Sequence, residues 1–370
     1  MPAASAGTVS HVADAGRFRG AWQGRISGCL LGKPLEVLSF EQGRGGIESY
    51  LKRAHAFPLG GYVPLVDGTV VARREPDCCA GRIRRAEPDD DIDYSLLALA
   101  LLERFGATFG REDVARQWLR LLPAGRTWTA ERAAYHTLLD RMDDEFVNGA
   151  APGFDLDACS DNPFCEWIGA QIRADVYGWV LPGRPGAAAA LAVRDGALSH
   201  RGEALHAAAF VAALGALLGA GTDVRDAIAG ALATIPEDSQ AADAVRLARS
   251  LAGTADAVDV LEARYASLSP VHSINNLAVV VWAMCDAEGD FDRAVCSAVQ
   301  AGWDTDCNGA TVGGLCGIAG WPIDERWTAP WRGRIGAGLA GIGELELEDV
   351  VARTANVARL LEGTRDAQFH

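Results

Sequence analysis

The sequence predicts an all-α protein, on three observations. Apolar residues recur at i, i+3, i+4 and i+7 through most of the chain, which places them on one face of a helix. Only Val63–Ala72 is a candidate for the alternating apolar and polar pattern of a strand, and that segment could equally be a loop. Alanine-rich runs, such as Ala207–Ala209, allow helices to pack closely against one another.

The predicted helices follow one another along the chain. The first, Ala21–Leu31, is rich in small residues, and a turn at Gly32-Lys33-Pro34 is expected to end it. Acidic residues in the first turn support several later helix starts, as at Glu112 and Glu131, because they interact favourably with the helix dipole. The later predicted helices are Ile92–Arg104, Arg111–Leu122, Thr129–Arg141, Pro163–Trp179, Ala187–Val193, Gly202–Leu218, Val224–Thr234, Ser239–Leu251, Ala255–Tyr265, Ile274–Cys285, Phe291–Ala301 and Glu346–Leu361.

One long segment, 42–88, interrupts this succession of helices. It is rich in Gly, Pro and Arg and predicts a long loop, which in a compact domain is usually either functional or disordered. The Pro-Gly stretches further along the chain are too short to be domain linkers. We therefore expect a single all-α domain over residues 21–362, with flexible ends at 1–20 and 363–370.

The composition of the 370-residue chain excludes several classes of protein. Hydrophobic residues make up 49% of it, which is typical of a globular protein. A net charge of −15 argues against binding to nucleic-acid backbones, which requires a surplus of Lys and Arg. No run of 18 apolar residues and no apolar leader is present, so we expect neither a membrane span nor a signal peptide. The nine cysteines contain no Cys-x-x-Cys pair, and thiols in apolar segments, such as Cys29 and Cys316, predict a cytoplasmic protein with reduced cysteines.

Two aspartate clusters provide the main functional signal. Asp89-Asp90-Asp91 and Asp304-Thr305-Asp306 each precede an apolar, helix-like stretch. Carboxylates beside apolar sequence are costly to desolvate unless a cation neutralises them, and Mg²⁺ and Ca²⁺ prefer such oxygen ligands. The alternative is that these acids only cap helices. Because two such clusters occur, we favour a metal site formed where the two helix starts meet.

Other polar residues have both a functional and an ordinary interpretation. Glu36 follows the glycine-rich helix and is either a general base or a solvated loop acid. His200 is either a ligand or a partner of a helix dipole. Asn162 belongs to a turn before a helix, and Asp175 lies within an apolar helix, on a face that is either buried or exposed.

Three of these regions together resemble the ADP-ribosylglycohydrolase family, which includes the dinitrogenase-reductase-activating glycohydrolase. Gly24–Glu36, Asp89–Asp93 and Gly302–Ala310 are similar to its signature regions and occur in the same order. The resemblance extends from about Ala21 to Leu361. Within it, Asn162–Asp175 is similar to a bacterial subfamily of unassigned substrate. Its part Ile168–Asp175 stands where the family has a Gly-Asn-Gly-like region that helps to hold ADP-ribose.

The resemblance implies an orthogonal multi-helix bundle with two Mg²⁺ ions, or Mn²⁺, in a central cleft. The family's Thr-Asp-Asp motif corresponds here to residues 89–91 and its Asp-x-Asp-Thr/Ser motif to residues 304–307, so both hydroxyl ligands are replaced. The implied metal ligands are Asp89, Asp90, Asp91, Asp304, Asp306 and Cys307. A thiol at Cys307 suits Mg²⁺ poorly, since sulfur prefers softer metals. The implied catalytic residues are Glu36 and Asp304, and the expected substrate-binding residues are Gly32, Lys33, Asn162, Asp175, His200 and Asn308.

From these observations we expect a Mg²⁺-dependent hydrolase that cleaves the N- or O-glycosidic bond of an ADP-ribosyl or related ribosyl compound. One alternative is a small-molecule N-ribosyl or nucleotide hydrolase of a specialised biosynthetic pathway. Another is a non-catalytic, metal-dependent ligand-binding protein on the same scaffold. The expected partner is a small-molecule or ADP-ribosylated substrate.

Overall fold

Helices account for most of the structure, a computed structural model that describes residues 15–363. Within that range the α-helices are α1 (Ala15–Arg53), α2 (Val70–Arg74), α3 (Asp90–Phe105), α4 (Arg111–Leu121), α5 (Thr129–Arg141), α6 (Asp157–Ser160), α7 (Asp175–Trp179), α8 (Pro185–Gly196), α9 (Glu203–Gly219), α10 (Val224–Leu232), α11 (Gln240–Ser250), α12 (Ala257–Tyr265), α13 (Ser273–Asp286), α14 (Phe291–Ala301), α15 (Thr305–Ala319), α16 (Glu325–Thr328) and α17 (Leu347–Glu362). Short 3-10 helices lie at Pro76–Cys78, Gly106–Thr108, Ala124–Arg126, Phe146–Asn148, Ile168–Arg173 and Ala329–Trp331. Two three-residue strands, β1 (Arg334–Gly336) and β2 (Glu344–Glu346), pair in antiparallel orientation. The all-α prediction is confirmed.

The centre of the fold is an antiparallel crossing of α1 and α15 at which glycines face one another. A Cβ placed on Gly24 would lie 2.0 Å from the carbonyl oxygen of Gly313, and one on Gly28 would lie 1.9 Å from that of Gly309. Glycines four residues apart share one face of a helix, so the two backbones touch along several turns. This close approach brings the residues that follow Gly32 on α1 to the start of α15.

Large aromatic side chains fill the space around this crossing. Trp22 of α1 is fully buried, and its ring meets that of Trp179 edge to face at 5.2 Å between centroids. Its indole nitrogen donates a hydrogen bond to Thr354 of α17. Helix α17 therefore also packs against α1 and helps to fix its orientation.

Helix α1 is longer than predicted at both ends. It begins at Ala15, inside the segment 1–20 that was expected to be flexible, and it continues through Pro34 to Arg53. The predicted turn at Gly32-Lys33-Pro34 is therefore wrong, because packing of Gly32 against α15 keeps this segment helical. The helix is interrupted at Gly43 (φ 61°, ψ −163°), a conformation that glycine adopts without a Cβ clash.

One further prediction about local structure is wrong. The segment Pro163–Trp179 is not one helix, because the backbone N–H of Ile168 donates to the carbonyl of Val271 instead of to its own chain four residues back. It forms turns, a 3-10 helix and α7. For Val63–Ala72 the sequence left a strand and a loop open; residues 63–69 form a loop, and the last residues belong to α2.

Three further predictions concern the ends of the chain, the cysteines and membrane-spanning helices. Residues 1–14 and 364–370, which hold most of the two predicted flexible ends, lie outside the described residues. Cys29 and Cys316 are buried, free thiols, as predicted. No helix within residues 15–363 is long and apolar enough to cross a membrane.

Candidate metal centre

The two aspartate clusters meet at the end of the glycine crossing. Asp89 is the N-cap of α3 and accepts a hydrogen bond from the backbone N–H of Asp91 at 2.9 Å. Asp304 is the N-cap of α15, so Asp306 lies in the first turn of that helix. The capping interpretation is therefore correct for Asp89, and the same helix starts also form a cluster of acids.

Carboxylate oxygens and thiols converge here in three overlapping sets. In each set the three ligand atoms all lie within 4.8 Å of one another. The sets are Cys29 with Asp89 and Asp91, Asp91 with Asp306 and Cys307, and Glu36 with Asp304 and Asp306. All the predicted ligands except Asp90 belong to a set. Asp90 is partly exposed at the first residue of α3.

Burial of so many acids has a clear electrostatic effect. Burial and the Asp306 and Glu36 carboxylates raise the pKa of Asp304 well above its usual value. Burial and Asp306 likewise raise the pKa of Glu36. The pKa of Asp306 is raised by burial and by Asp89. Closely spaced, buried carboxylates repel one another, and protons or a bound cation would relieve that repulsion.

One lysine supplies part of that positive charge. Lys33 of α1 forms an ion pair with Asp89. Burial favours the protonated form of Asp89, but the ammonium outweighs burial and lowers the pKa of that carboxyl. Burial also opposes the charge of Lys33, yet Asp89 and Asp306 outweigh it and raise the pKa of the ammonium well above its usual value.

The donor set fits a hard divalent cation. Asp91 Oδ2 and Asp304 Oδ1 are buried and have no hydrogen-bond partner among the described residues. Unpaired buried carboxylate oxygens are costly, and Mg²⁺ or Mn²⁺ would satisfy them. The thiols fit less well, because burial and neighbouring aspartates raise the pKa of both Cys29 and Cys307 and keep them protonated.

A fully buried arginine, Arg25, connects the cluster to the neighbouring elements. Arg25 Nη1 donates to Asp175 at 2.6 Å, and its Nε and Nη2 donate to the backbone carbonyl of Asp91 at 3.0 and 2.7 Å. The same guanidinium also reaches the carbonyl of Ile172. Arg25 thus joins α1, the start of α3 and the segment before α7.

Asp175 accordingly pairs with Arg25, and its side chain has no exposed surface. Its predicted role in substrate binding stays a prediction. Burial raises the pKa of Asp175 to about 6 even though Arg25 opposes the shift.

The remaining predicted substrate-binding residues divide into two groups. Gly32, Lys33 and Asn308 lie at the cluster. A Cβ on Gly32 would lie 2.1 Å from the carbonyl oxygen of Thr305, so Gly32 belongs to the helix crossing. Asn308 Nδ2 donates to Asn276 Oδ1 at 2.8 Å, and the same oxygen accepts the backbone N–H of Asp304 at 3.2 Å.

Asn162 and His200 belong to a second buried network. Asn162 Nδ2 donates to the carbonyl of Ser199 at 3.0 Å, which holds a turn. His200 is fully buried with Nε2 3.7 Å from Glu131, and burial followed by Arg173 lowers its pKa well below the usual value. The structure places neither residue in the three sets of ligand atoms.

Sequence reasoning missed Cys29 and Arg25 as parts of the site, and Glu131 with Arg173 as a second ion pair at 3.0 Å. Arg25 carried a usable signal, since it is a charged residue within a stretch of small and apolar residues. Cys29 carried none, because an apolar helix often contains a thiol.

Comparison with known proteins is consistent with this geometry. The family model described as ADP-ribosylglycohydrolase matches residues 10–363, nearly the whole chain. The chain belongs to the ADP-ribosylglycohydrolase family. The family resemblance predicted from the sequence is therefore confirmed, and this family member is a hydrolase of glycosidic bonds.

A solved structure shows the same fold. It is titled "ADP-ribosylglycohydrolase-related protein complex" and shares 22% sequence identity, with a TM-score of 0.53 over 94% of this chain and 98% of that chain. No curated protein matches the chain significantly.

Proposed function

We propose that this ADP-ribosylglycohydrolase-family protein is a Mg²⁺-dependent hydrolase of an N- or O-glycosidic bond in an ADP-ribosyl or related ribosyl compound. One observation carries the proposal. Glu36, a partly exposed acid, lies within 4.8 Å of two buried aspartates, Asp304 and Asp306, that belong to a larger cluster of carboxylates. A cation site and an accessible acid are thus adjacent.

The cation would be held by oxygen atoms from two helix starts. We assign this role to Asp89, Asp90 and Asp91 of the α3 start and to Asp304 and Asp306 of the α15 start. When bound, Mg²⁺ or Mn²⁺ would hold ribose oxygens and offset negative charge that develops during the reaction. Two ions are proposed because the three ligand sets extend from Cys29 to Glu36.

Glu36 is the proposed general base. It lies on α1 and not at the start of a mobile loop, so its backbone is fixed relative to Asp304. The C1 bond to the leaving group breaks through an oxocarbenium-like state, and water adds to C1. Glu36 would accept a proton from that water, while the carboxylate of Asp304 would stabilise the positive charge near C1.

A small-molecule N-ribosyl or nucleotide hydrolase remains the second candidate. The segment between α1 and α3 packs against α1, the helix that carries Glu36, through α2 and the 3-10 helix Pro76–Cys78. If this segment covers the cluster, the site would favour a metabolite over a modified protein surface. A non-catalytic ligand-binding protein would have a cluster of the same type but no role for Glu36.

The test is hydrolysis of a substrate panel with and without Mg²⁺. The panel contains ADP-ribosylated protein, NAD, ADP-ribose and ribonucleosides. We expect Mg²⁺-dependent release of the leaving group from at least one of them. Absence of turnover on the whole panel would contradict the enzymatic proposal.

Glu36→Gln on the active substrate then tests the assigned base. We expect kcat to fall by about 10²- to 10⁴-fold, with folding retained. Glu41→Gln is the matched control, since Glu41 lies on the same helix with its side chain exposed. Wild-type turnover in Glu36→Gln would transfer the base role to another group.

A further inference from the structure

A pocket of about 270 Å³ lies among α1, α12 and the junction between α14 and α15. Two of its lining residues connect it to the proposed catalytic acids. Trp303 directly precedes Asp304, and Ser39 lies three residues after Glu36 on α1. Residues three apart on a helix are neighbours, with about 5–6 Å between their Cβ atoms. The pocket is therefore within reach of a group attached to the reacting sugar carbon.

Trp303 has an unusual backbone conformation. Its φ is +56°, in the left-handed region that side chains other than glycine rarely adopt. Such strain is concentrated at functional sites. Here it places a partly exposed indole at the pocket wall next to Asp304.

The pocket also contains a hydroxyl that lacks a partner. Ser39 is 3% exposed, and its Oγ has no hydrogen-bond partner among the residues described. The backbone at Gly302 packs directly against this hydroxyl, as a Cβ there would lie 3.4 Å from it. Tyr265, which is 4% exposed, supplies a second aromatic ring.

The charges in the pocket argue against an anionic ligand. Arg44 is the cation that lines it, and this guanidinium forms ion pairs with Asp259 and, at 3.3 Å, with Glu262. Two carboxylates thus offset one guanidinium. A phosphate or carboxylate would have to compete with them, whereas an uncharged planar group could stack on Trp303.

We propose that this Trp303 pocket receives the leaving group of the reaction, and that the leaving group is an uncharged nitrogen heterocycle of one or two rings. This inference rests on the proposed function. A volume of 270 Å³ is just below the usual range for pockets that hold drug-sized ligands, so one or two rings fit it.

The chemistry of the step is balanced by water. The bond between C1 and the ring nitrogen breaks, and its electron pair goes to the heterocycle. A purine also gains the proton that water gives up, whereas nicotinamide leaves a pyridinium as a neutral base and that proton passes to Glu36 and then to solvent. Water supplies the hydroxyl group that C1 gains. The Ser39 hydroxyl, which lacks a partner within residues 15–363 and belongs to the pocket lining, would hydrogen-bond a ring nitrogen or carbonyl of the departing heterocycle.

Calorimetric titration of the full-length protein tests the pocket without requiring turnover. The probes are nicotinamide for one ring, hypoxanthine for two rings and methylguanidine as a planar cation. We expect at least one heterocycle to bind and Trp303→Leu to weaken it about tenfold, because an aromatic stack contributes about 1–3 kcal/mol. Trp303→Phe retains a ring and should retain most of the affinity.

Trp321→Leu is the matched control. Trp321 is also partly exposed, but it follows the far end of α15 and should leave heterocycle binding unchanged. If Trp303→Leu does not fold, Ser39→Ala provides the second test and should weaken binding. Unchanged binding in the variant that folds, or tighter binding of methylguanidine than of either heterocycle, would overturn the proposal.

The outcome is separable from that of the proposed function. A protein that hydrolyses ribosides but binds neither heterocycle would refute the pocket alone. A protein that binds a heterocycle through Trp303 but hydrolyses no substrate would support the pocket and refute the proposed reaction.

Discussion

Replacing Asp306 by asparagine should have opposite effects on stability with and without a divalent cation. Asp306 belongs to two of the three ligand sets. Without a cation, its carboxylate is a source of repulsion, because it raises the pKa of both Asp304 and Glu36. Asparagine keeps the shape and removes the charge, so Asp306→Asn should be as stable as the unchanged protein in EDTA, or more stable.

With the cation present the order should reverse. A cation at a hundred times its dissociation constant stabilises the native state by about 2.7 kcal/mol. Unfolding entropy near 2.1 cal/mol/K per residue gives roughly 0.8 kcal/mol per degree for a chain of this length, so the unchanged protein should gain about 3–4 °C in melting temperature. Asp306→Asn should lose most of that gain.

Scanning calorimetry in EDTA and in Mg²⁺ measures both effects. Asp324→Asn is a suitable control, since Asp324 caps α16 away from the cluster and asparagine is an equally good cap. The reasoning would be refuted if Asp306→Asn retained the full response to Mg²⁺, or if the unchanged protein showed none.

Three other substitutions test individual contacts. Cys307→Ser should bind Mg²⁺ more tightly in calorimetric titration, since oxygen is the harder ligand; unaltered affinity and rate would place the thiol outside the metal site. Asp175→Asn leaves the buried guanidinium of Arg25 without its carboxylate partner, so it should lower the free energy of unfolding in urea by about 3–5 kcal/mol. A decrease below about 0.5 kcal/mol would show that the ion pair is dispensable. Gly28→Ala places a methyl group 1.9 Å from a carbonyl oxygen of α15, so it should lower the free energy of unfolding by about 1–3 kcal/mol or more and weaken the Mg²⁺ response. Gly45→Ala on the same helix meets no atom within 4 Å and should not destabilise the protein.

Much of the helical structure followed from local sequence patterns. Thr129–Arg141 and Phe291–Ala301 have the predicted limits, because apolar periodicity and acidic first turns agree there. The position of Pro34 inside a helix could not be predicted from local signals, since Gly-Lys-Pro ordinarily ends a helix. Packing of the preceding glycines against α15 overrides that signal.

The acidic residues of the site could be predicted from the sequence, but the residues that surround them could not. Both aspartate clusters lie at helix starts, as predicted, and Glu36 lies beside Asp304 and Asp306. Its catalytic role stays a prediction. Whether the two aspartate clusters and Glu36 come together depends on which face of α1 packs against α15. The same packing face determines that the side chains of Arg25 and Cys29 point to the cluster. A single sequence does not specify which face of α1 packs against α15.

Anomalous diffraction from crystals of the protein grown with Mn²⁺ tests the central claim most directly. The account predicts one or two peaks bounded by the carboxylates of Asp91, Asp304 and Asp306, with Glu36 at the edge. Those peaks should disappear in crystals of Asp306→Asn. A protein crystallised at saturating Mn²⁺ with no peak among these carboxylates, or with peaks unchanged in Asp306→Asn, would contradict it.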